Sequence, residues 1–121
     1  MAIVLIVEDN ISTLEFLAKY VKKMGHIPVK CQDGQVAWNF LLDNHAIIDV
    51  LVTDLKMPNM DGRQLIELMR QDDRMATIPI IVQSDYLGVH NTIKLMEDGA
   101  SYVFPKPMEY NVLEEHIKKV L

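Results

Sequence analysis

The sequence predicts an α/β fold: a doubly wound parallel sheet of five strands with helices on both faces. Three observations carry this. Short apolar runs alternate with stretches whose apolar residues recur at helical spacing, the pattern of successive βα units. The run 47–53 is nearly all apolar, as a central strand buried on both faces must be. Finally, three runs end in charged residues: 2–7 leads into Glu8-Asp9-Asn10, 47–53 into Asp54, and Tyr102-Val103-Phe104 into Pro105-Lys106-Pro107. Ligands of an open parallel sheet bind beyond the carboxyl ends of its strands, so charge concentrated there marks a site.

The elements follow in order. Strand one covers 2–7. Leu14, Leu17, Ala18, Val21 and Met24 then make one helical face, with Asn10 or Ser12 as cap and Gly25 as terminator. Strand two, 27–31, contains Pro28, which assigns it to an edge or a strand start. A helix over 34–44 presents Val36, Ala37, Phe40 and Leu41, with Trp38 packing one side. After strand three, 47–53, the stretch 54–62 is a loop with Pro58 and the turn pair Asp61-Gly62. A helix over 63–71 carries Leu65, Ile66, Leu68 and Met69. Strand four is 78–83, a fourth helix runs over 87–97 and stops before Gly99, strand five is 101–104, and a last helix over 109–120 buries Val112, Leu113, Ile117 and Val120.

Length and composition bound the function. A chain of 121 residues is expected to be one domain, 1–121. Hydrophobic residues make up 50%, yet no run is long enough to span a bilayer, and the first residues lack the basic start and cleavage site of a secretory signal. The single cysteine, Cys31, fits a reducing compartment, so a soluble cytoplasmic protein is expected. The net charge of −5, with no basic cluster beyond Lys22-Lys23 and Lys118-Lys119, argues against direct binding to nucleic acid or to a membrane surface. His26, His45, His90 and His116 have no metal-ligand spacing with Cys31, and the eight methionines read as core and loop residues.

The strand-end residues carry the chemistry. Glu8 and Asp9 alone read as a turn that caps the next helix, but two adjacent carboxylates repel unless a cation intervenes. Mg²⁺ takes few carboxylates and keeps several waters. Asp9 is therefore the direct ligand, and Glu8 acts through water or orients Asp9. Asp54 is either a loop starter or a nucleophile toward phosphorus, which needs positive charge on the equatorial phosphoryl oxygens. Ser84 is either a helix cap or a hydroxyl donor to the same group. Lys106, an ordinary surface lysine elsewhere, is held extended between Pro105 and Pro107. The Lys106-Pro107 bond is expected to be cis, which X-Pro bonds allow at little free-energy difference.

These residues resemble the receiver domain of two-component response regulators, most closely the small chemotaxis type. The resemblance spans the chain. It rests on the acidic pair at 8–9, Asp54-x-x-Met57-Pro58-x-Met60-Asp61-Gly62, Ser84, Gly99-Ala100 and Lys106-Pro107. It implies a flavodoxin-like strand order, 2-1-3-4-5. It implies that Asp54 accepts phosphate from the phosphohistidine of a histidine kinase or phosphotransfer protein. Asp9, Asp54 and the Lys56 backbone carbonyl would hold Mg²⁺, and Ser84 and Lys106 would bind the phosphoryl oxygens. Phosphorylation would remodel the face of helix four, strand five and helix five toward an effector domain or protein. Such a module is a phosphoacceptor that assists only its own phosphorylation and dephosphorylation.

Two positions depart from the family pattern. Val103 stands where an aromatic switch residue is usual, and Tyr102, on the opposite strand face, becomes the candidate for the output surface. Asp85 stands where a small residue is usual; it is either a fourth carboxylate that weakens phosphate binding by repulsion or, as expected of an Asp, a side chain that faces solvent. Two rival readings remain at the level of sequence. One is a degenerate receiver that binds partners without phosphate. The other is a haloacid-dehalogenase-like phosphatase, which Asp54-Leu55-Lys56 opposes by lacking a second Asp as general acid. The last helix reaches residue 121, so either a stand-alone regulator or a piece of a longer protein is expected.

Overall fold

A computed structural model of the protein describes residues 1–85 and 88–121. The order is β1 (Ile3–Val7), α1 (Ile11–Lys23), β2 (Ile27–Cys31), α2 (Gly34–Asn44), a 3-10 turn (His45–Ile47), β3 (Val50–Asp54), α3 (Gly62–Gln71), β4 (Ile80–Ser84), α4 (Val89–Asp98), β5 (Tyr102–Pro105) and α5 (Tyr110–Val120). The strands form one sheet in the order β2-β1-β3-β4-β5, and every neighbouring pair is parallel. The predicted fold class and strand order are those observed.

Strand alternation divides the core in two. Leu5, Val7, Leu51, Ile80 and Val82 face Leu41, Ile66 and Leu95 of α2, α3 and α4. Val4, Ile6, Val50, Val52 and Ile81 face Leu14, Leu17, Leu113 and Ile117 of α1 and α5. β3 and β4 are buried at every position, which is why they read as continuous apolar runs. β2, with its proline, is an edge strand as predicted.

Several boundaries shift for physical reasons. β3 begins at Val50 rather than 47. Residues 45–47 coil into the 3-10 turn, and the Asp49 carboxylate accepts the Ile3 N–H at 2.8 Å, tying the strand start to β1. β4 begins at Ile80 rather than 78, because Pro79 has no N–H and enters the ladder only through its carbonyl, which accepts from Leu51. α4 is described from Val89, so its predicted start at 87 lies outside the described residues. The sequence pattern predicts Val36 on the buried face of α2, but it is 47% exposed. The stripe centres on Ala37 and Leu41, and Val36 is rotated about 100° from Ala37.

The caps follow the side-chain chemistry. Of the two candidates, Asn10 caps α1 by accepting the Thr13 N–H at 3.0 Å, and Gly25 ends it with φ of +89°. Asp61 and Gln64 form a reciprocal capping box at the start of α3, with bonds of 2.8 and 3.1 Å. That box fixes the point where the loop after β3 re-enters regular structure.

Candidate functional site

The parallel order puts the carboxyl ends of β1, β3, β4 and β5 along one edge of the sheet, and the charged residues that follow them converge there. Asp54 is the last residue of β3, and its side chain is only 6% exposed. Its Oδ1 accepts the Leu55 N–H at 2.7 Å, and its Oδ2 accepts from the Lys106 ammonium at 2.8 Å. Lys106 also bonds Glu8 Oε1 at 2.7 Å. Glu8 is fully buried, and its other oxygen, Oε2, accepts the Asn10 N–H at 3.0 Å. Lys106 is brought into reach by its own backbone N–H, which donates to the Ser84 carbonyl at 2.8 Å, and the Lys106-Pro107 bond is cis as predicted.

The electrostatics follow from burial and pairing. Burial pushes the Glu8 carboxyl up to about 7; the hydrogen bonds from Lys106 and the Asn10 N–H pull the other way, and the Asp54 charge adds to the rise. Burial works against the Lys106 ammonium, but its bonds to Asp54 and Glu8 outweigh that and hold its pKa above the usual lysine value. The ammonium is therefore a fixed positive charge beside the Asp54 carboxylate.

Glu8, Asp9 and Asp54 each offer a carboxylate oxygen, and these oxygens lie within 4.8 Å of one another. An all-oxygen donor set with one exposed member, Asp9, suits a hard cation that keeps part of its water shell. It is the one such cluster among the described residues. Asp9 and Asp54 line a cleft of about 660 Å³ that is also lined by Lys56, Gln83, Asp85 and Lys106 and by the aromatic rings of Phe16 and Tyr20, while Glu8 is buried beneath it. Asp85 is exposed, as expected. Ser84, at the end of β4, is buried with 4% of its surface accessible.

Val103 and Tyr102 separate to opposite faces as strand alternation predicts. Val103 packs with the core beneath α2, α3 and α4, whereas Tyr102 and Phe104 pack on the α1–α5 side. Both rings meet the His116 imidazole edge-on, each with centroids 4.6 Å apart. Tyr102 is thus half-buried against α5.

Two features escape sequence reasoning. Gln83 is 1% exposed and donates through Nε2 to Glu8 Oε1 at 3.4 Å. The only hint is one carboxamide in the otherwise apolar run 80–83. The second is the clamp on the loop after β3. Gly62 donates its N–H to the Leu55 carbonyl at 2.7 Å, and a Cβ there would collide with the Asp54 carbonyl oxygen; a Cβ on Gly34 would collide with the Met60 carbonyl. Asn59, in the left-handed region with φ of 67°, adds a bond to the Asp33 carboxylate at 2.9 Å.

Comparison with known proteins agrees with this geometry. Residues 4–118 match the family model of the response regulator receiver domain. The chain is 31% identical to chemotaxis protein CheY1 of Helicobacter pylori, covering 97% of this chain and 94% of that one. It is also 31% identical to the two-component response regulator-like APRR9 of Arabidopsis thaliana, covering 92% of this chain but only 24% of that protein's length. Among solved structures, the receiver domain of a signal transduction histidine kinase from Syntrophus aciditrophicus superposes with a TM-score of 0.90 at 28% identity, covering 100% of this chain and 90% of that one. A response regulator receiver protein from Pseudomonas putida gives 0.88 at 30% identity, covering 98% and 96%. The chain belongs to the response regulator receiver domain family.

Proposed function

We propose that this receiver domain is a cytoplasmic phosphoacceptor in which the Asp54 carboxylate takes a phosphoryl group from the phosphohistidine of a histidine kinase or phosphotransfer protein. The observation that carries the reading is the near-buried Asp54 carboxylate, held by Lys106 at 2.8 Å on one oxygen and by the Leu55 N–H on the other. An Asp54 oxygen forms the new bond to phosphorus as the bond from phosphorus to the donor's imidazole nitrogen breaks. The Leu55 N–H orients the attacking carboxylate. Lys106 supplies positive charge to the phosphoryl oxygens, and Ser84 donates its hydroxyl to them. Asp9, Asp54 and the Lys56 carbonyl are the residues that would hold Mg²⁺, with Glu8 acting through water. When bound, Mg²⁺ offsets negative charge on the transferring group. The face of α4, β5 and α5 carries the signal to an effector. Val103 is too short to act as an inward-swinging ring, which leaves Ser84 and the half-buried Tyr102 as the coupling elements.

The test is direct. Incubated with a small phosphodonor and Mg²⁺ and then weighed intact, the protein should gain one phosphoryl group, and Asp54→Ala should gain none. Equal labelling of the variant would reject Asp54 as the acceptor.

The metal assignment has its own measurement. A ligand at ten times its dissociation constant stabilises a fold by about 1.4 kcal/mol, so Mg²⁺ should raise the melting temperature of the parent by several degrees. Asp9→Asn should lose most of that gain while melting higher than the parent without metal, because one of three mutually repelling carboxylates is gone. A melting temperature independent of Mg²⁺ in the parent would remove the cation from the site.

A further inference from the structure

Gln83 is a buried polar side chain lining the cleft for which the reading above provides no use. It sits on β4 directly opposite Asp54 of β3 and Phe104 of β5 in the strand register. Its neighbour two positions earlier on the same strand face, Ile81, is fully buried in the α1–α5 core. An apolar side chain would continue that face, yet the carboxamide is 1% exposed and aimed at Glu8. Buried amides left without partners are destabilising, so the contact with Glu8 has a reason to exist.

The distances give the reason. Glu8 Oε1 is shared between two donors, Lys106 Nζ at 2.7 Å and Gln83 Nε2 at 3.4 Å. The first is a short charge-assisted bond, and the second is at the long limit for a hydrogen bond. Gln83 is therefore a weak partner for as long as Lys106 occupies the carboxylate. A phosphoryl group on Asp54 brings new, more negative oxygens to the same ammonium, and their attraction draws Lys106 toward Asp54 and away from Glu8. As it turns, the fully buried Glu8 carboxylate loses its cation, which is strongly unfavourable unless another donor closes in or the carboxyl takes up a proton.

We propose that Gln83 is a positioning residue that takes over the buried Glu8 carboxylate when Lys106 turns toward a phosphoryl group on Asp54. The transfer half of this statement rests on the phosphoacceptor reading; the relation among Gln83, Glu8 and Lys106 does not. Together with the Asn10 N–H on Oε2, the amide leaves both carboxylate oxygens bonded after the ammonium departs.

Two measurements test the two halves. The first is a double-mutant cycle on melting temperature at pH 8, without metal, using Gln83→Met and Lys106→Met. With Lys106 present, Gln83→Met should have a small effect. With Lys106 replaced, it should lower the melting temperature by about 4 °C more, because Glu8 then loses both side-chain donors. Equal effects in both backgrounds would assign Gln83 to packing alone and overturn the proposal.

The second measurement is binding of beryllofluoride with Mg²⁺, a mimic of the aspartyl phosphate, followed by calorimetry, and it needs only the single variants. Gln83→Met should bind it about tenfold more weakly than the parent, the equivalent of one hydrogen bond to a charged group. Gln83→Glu, equal in shape but an acceptor facing Glu8, should bind more weakly still. Parent-like affinity in Gln83→Met would overturn the proposal even if Lys106→Met failed to fold. A parent that does not bind beryllofluoride would overturn the phosphoacceptor reading and the transfer with it, while the stability cycle would still decide whether Gln83 and Lys106 share Glu8.

Discussion

Gly62→Ala should destabilise the protein by about 3 kcal/mol, the upper range for forcing extra volume into a close-packed site. It should lower the melting temperature by roughly 10 °C. A Cβ on Gly62 meets three backbone atoms: the Asp54 carbonyl oxygen and carbon and the Leu55 Cα. None is the end of a flexible side chain that could swing away. The Gly62 N–H is bonded to the Leu55 carbonyl at 2.7 Å, and Asp61 is locked by its capping box with Gln64, so the glycine cannot retreat without opening the start of α3. The relief must come from β3, by displacement of Asp54 itself. The substitution should therefore reduce phosphoryl labelling at Asp54 beyond the loss of folded protein. Gly88→Ala is the control: a Cβ there meets nothing within 4 Å, and it should melt within a degree or two of the parent. Parent-like stability in Gly62→Ala would mean that the loop after β3 yields without the strand end moving.

That clamp also shows where sequence reading reaches its limit. Glu8, Asp9, Asp54 and Lys106 could be found because each follows an apolar run, and the carboxyl ends of parallel strands share one edge of a sheet. Position along the chain thereby becomes position in space. The strands were legible for the same reason: β3 and β4, buried on both faces, must be apolar throughout. What escaped depends on contacts that no local pattern encodes. Gly62 reads as half of a turn pair, while its steric role involves the backbone of Asp54 eight positions earlier. Arg70 reads as a basic residue in the last turn of α3, but its guanidinium gathers the carbonyls of Met75, Ala76 and Gly99, the last of them 29 residues away. Val36 reads as buried because it is apolar and adjoins Ala37, and one residue's rotation around α2 puts it outside. Gln83 gives no signal because its strand faces two cores, and no local pattern tells which side opens onto the acidic cleft.

Glu8→Gln should change how stability depends on pH. In the folded chain burial raises the Glu8 carboxyl to about 7 from an ordinary value of 4.5. Between those values the native state holds a proton that the unfolded chain has released. An acid shifted upward in this way contributes stability that is fully present below 4.5 and is lost as pH rises through about 7. The loss attributable to Glu8 should amount to as much as about 3 kcal/mol. Gln cannot ionise, and Lys106 keeps its bond to Asp54 in the variant's place of Glu8, so the amide should imitate the protonated acid. In melts without metal, the variant should match or fall slightly below the parent at pH 5 and should gain on it steadily through pH 8. Taking the difference between the two proteins cancels every contribution that both share. A difference that stays constant across that range would mean that Lys106 and the Asn10 N–H fully offset the burial of the Glu8 charge. Glu8 would then be a permanent anion of the site, with its carboxylate always available to the ammonium.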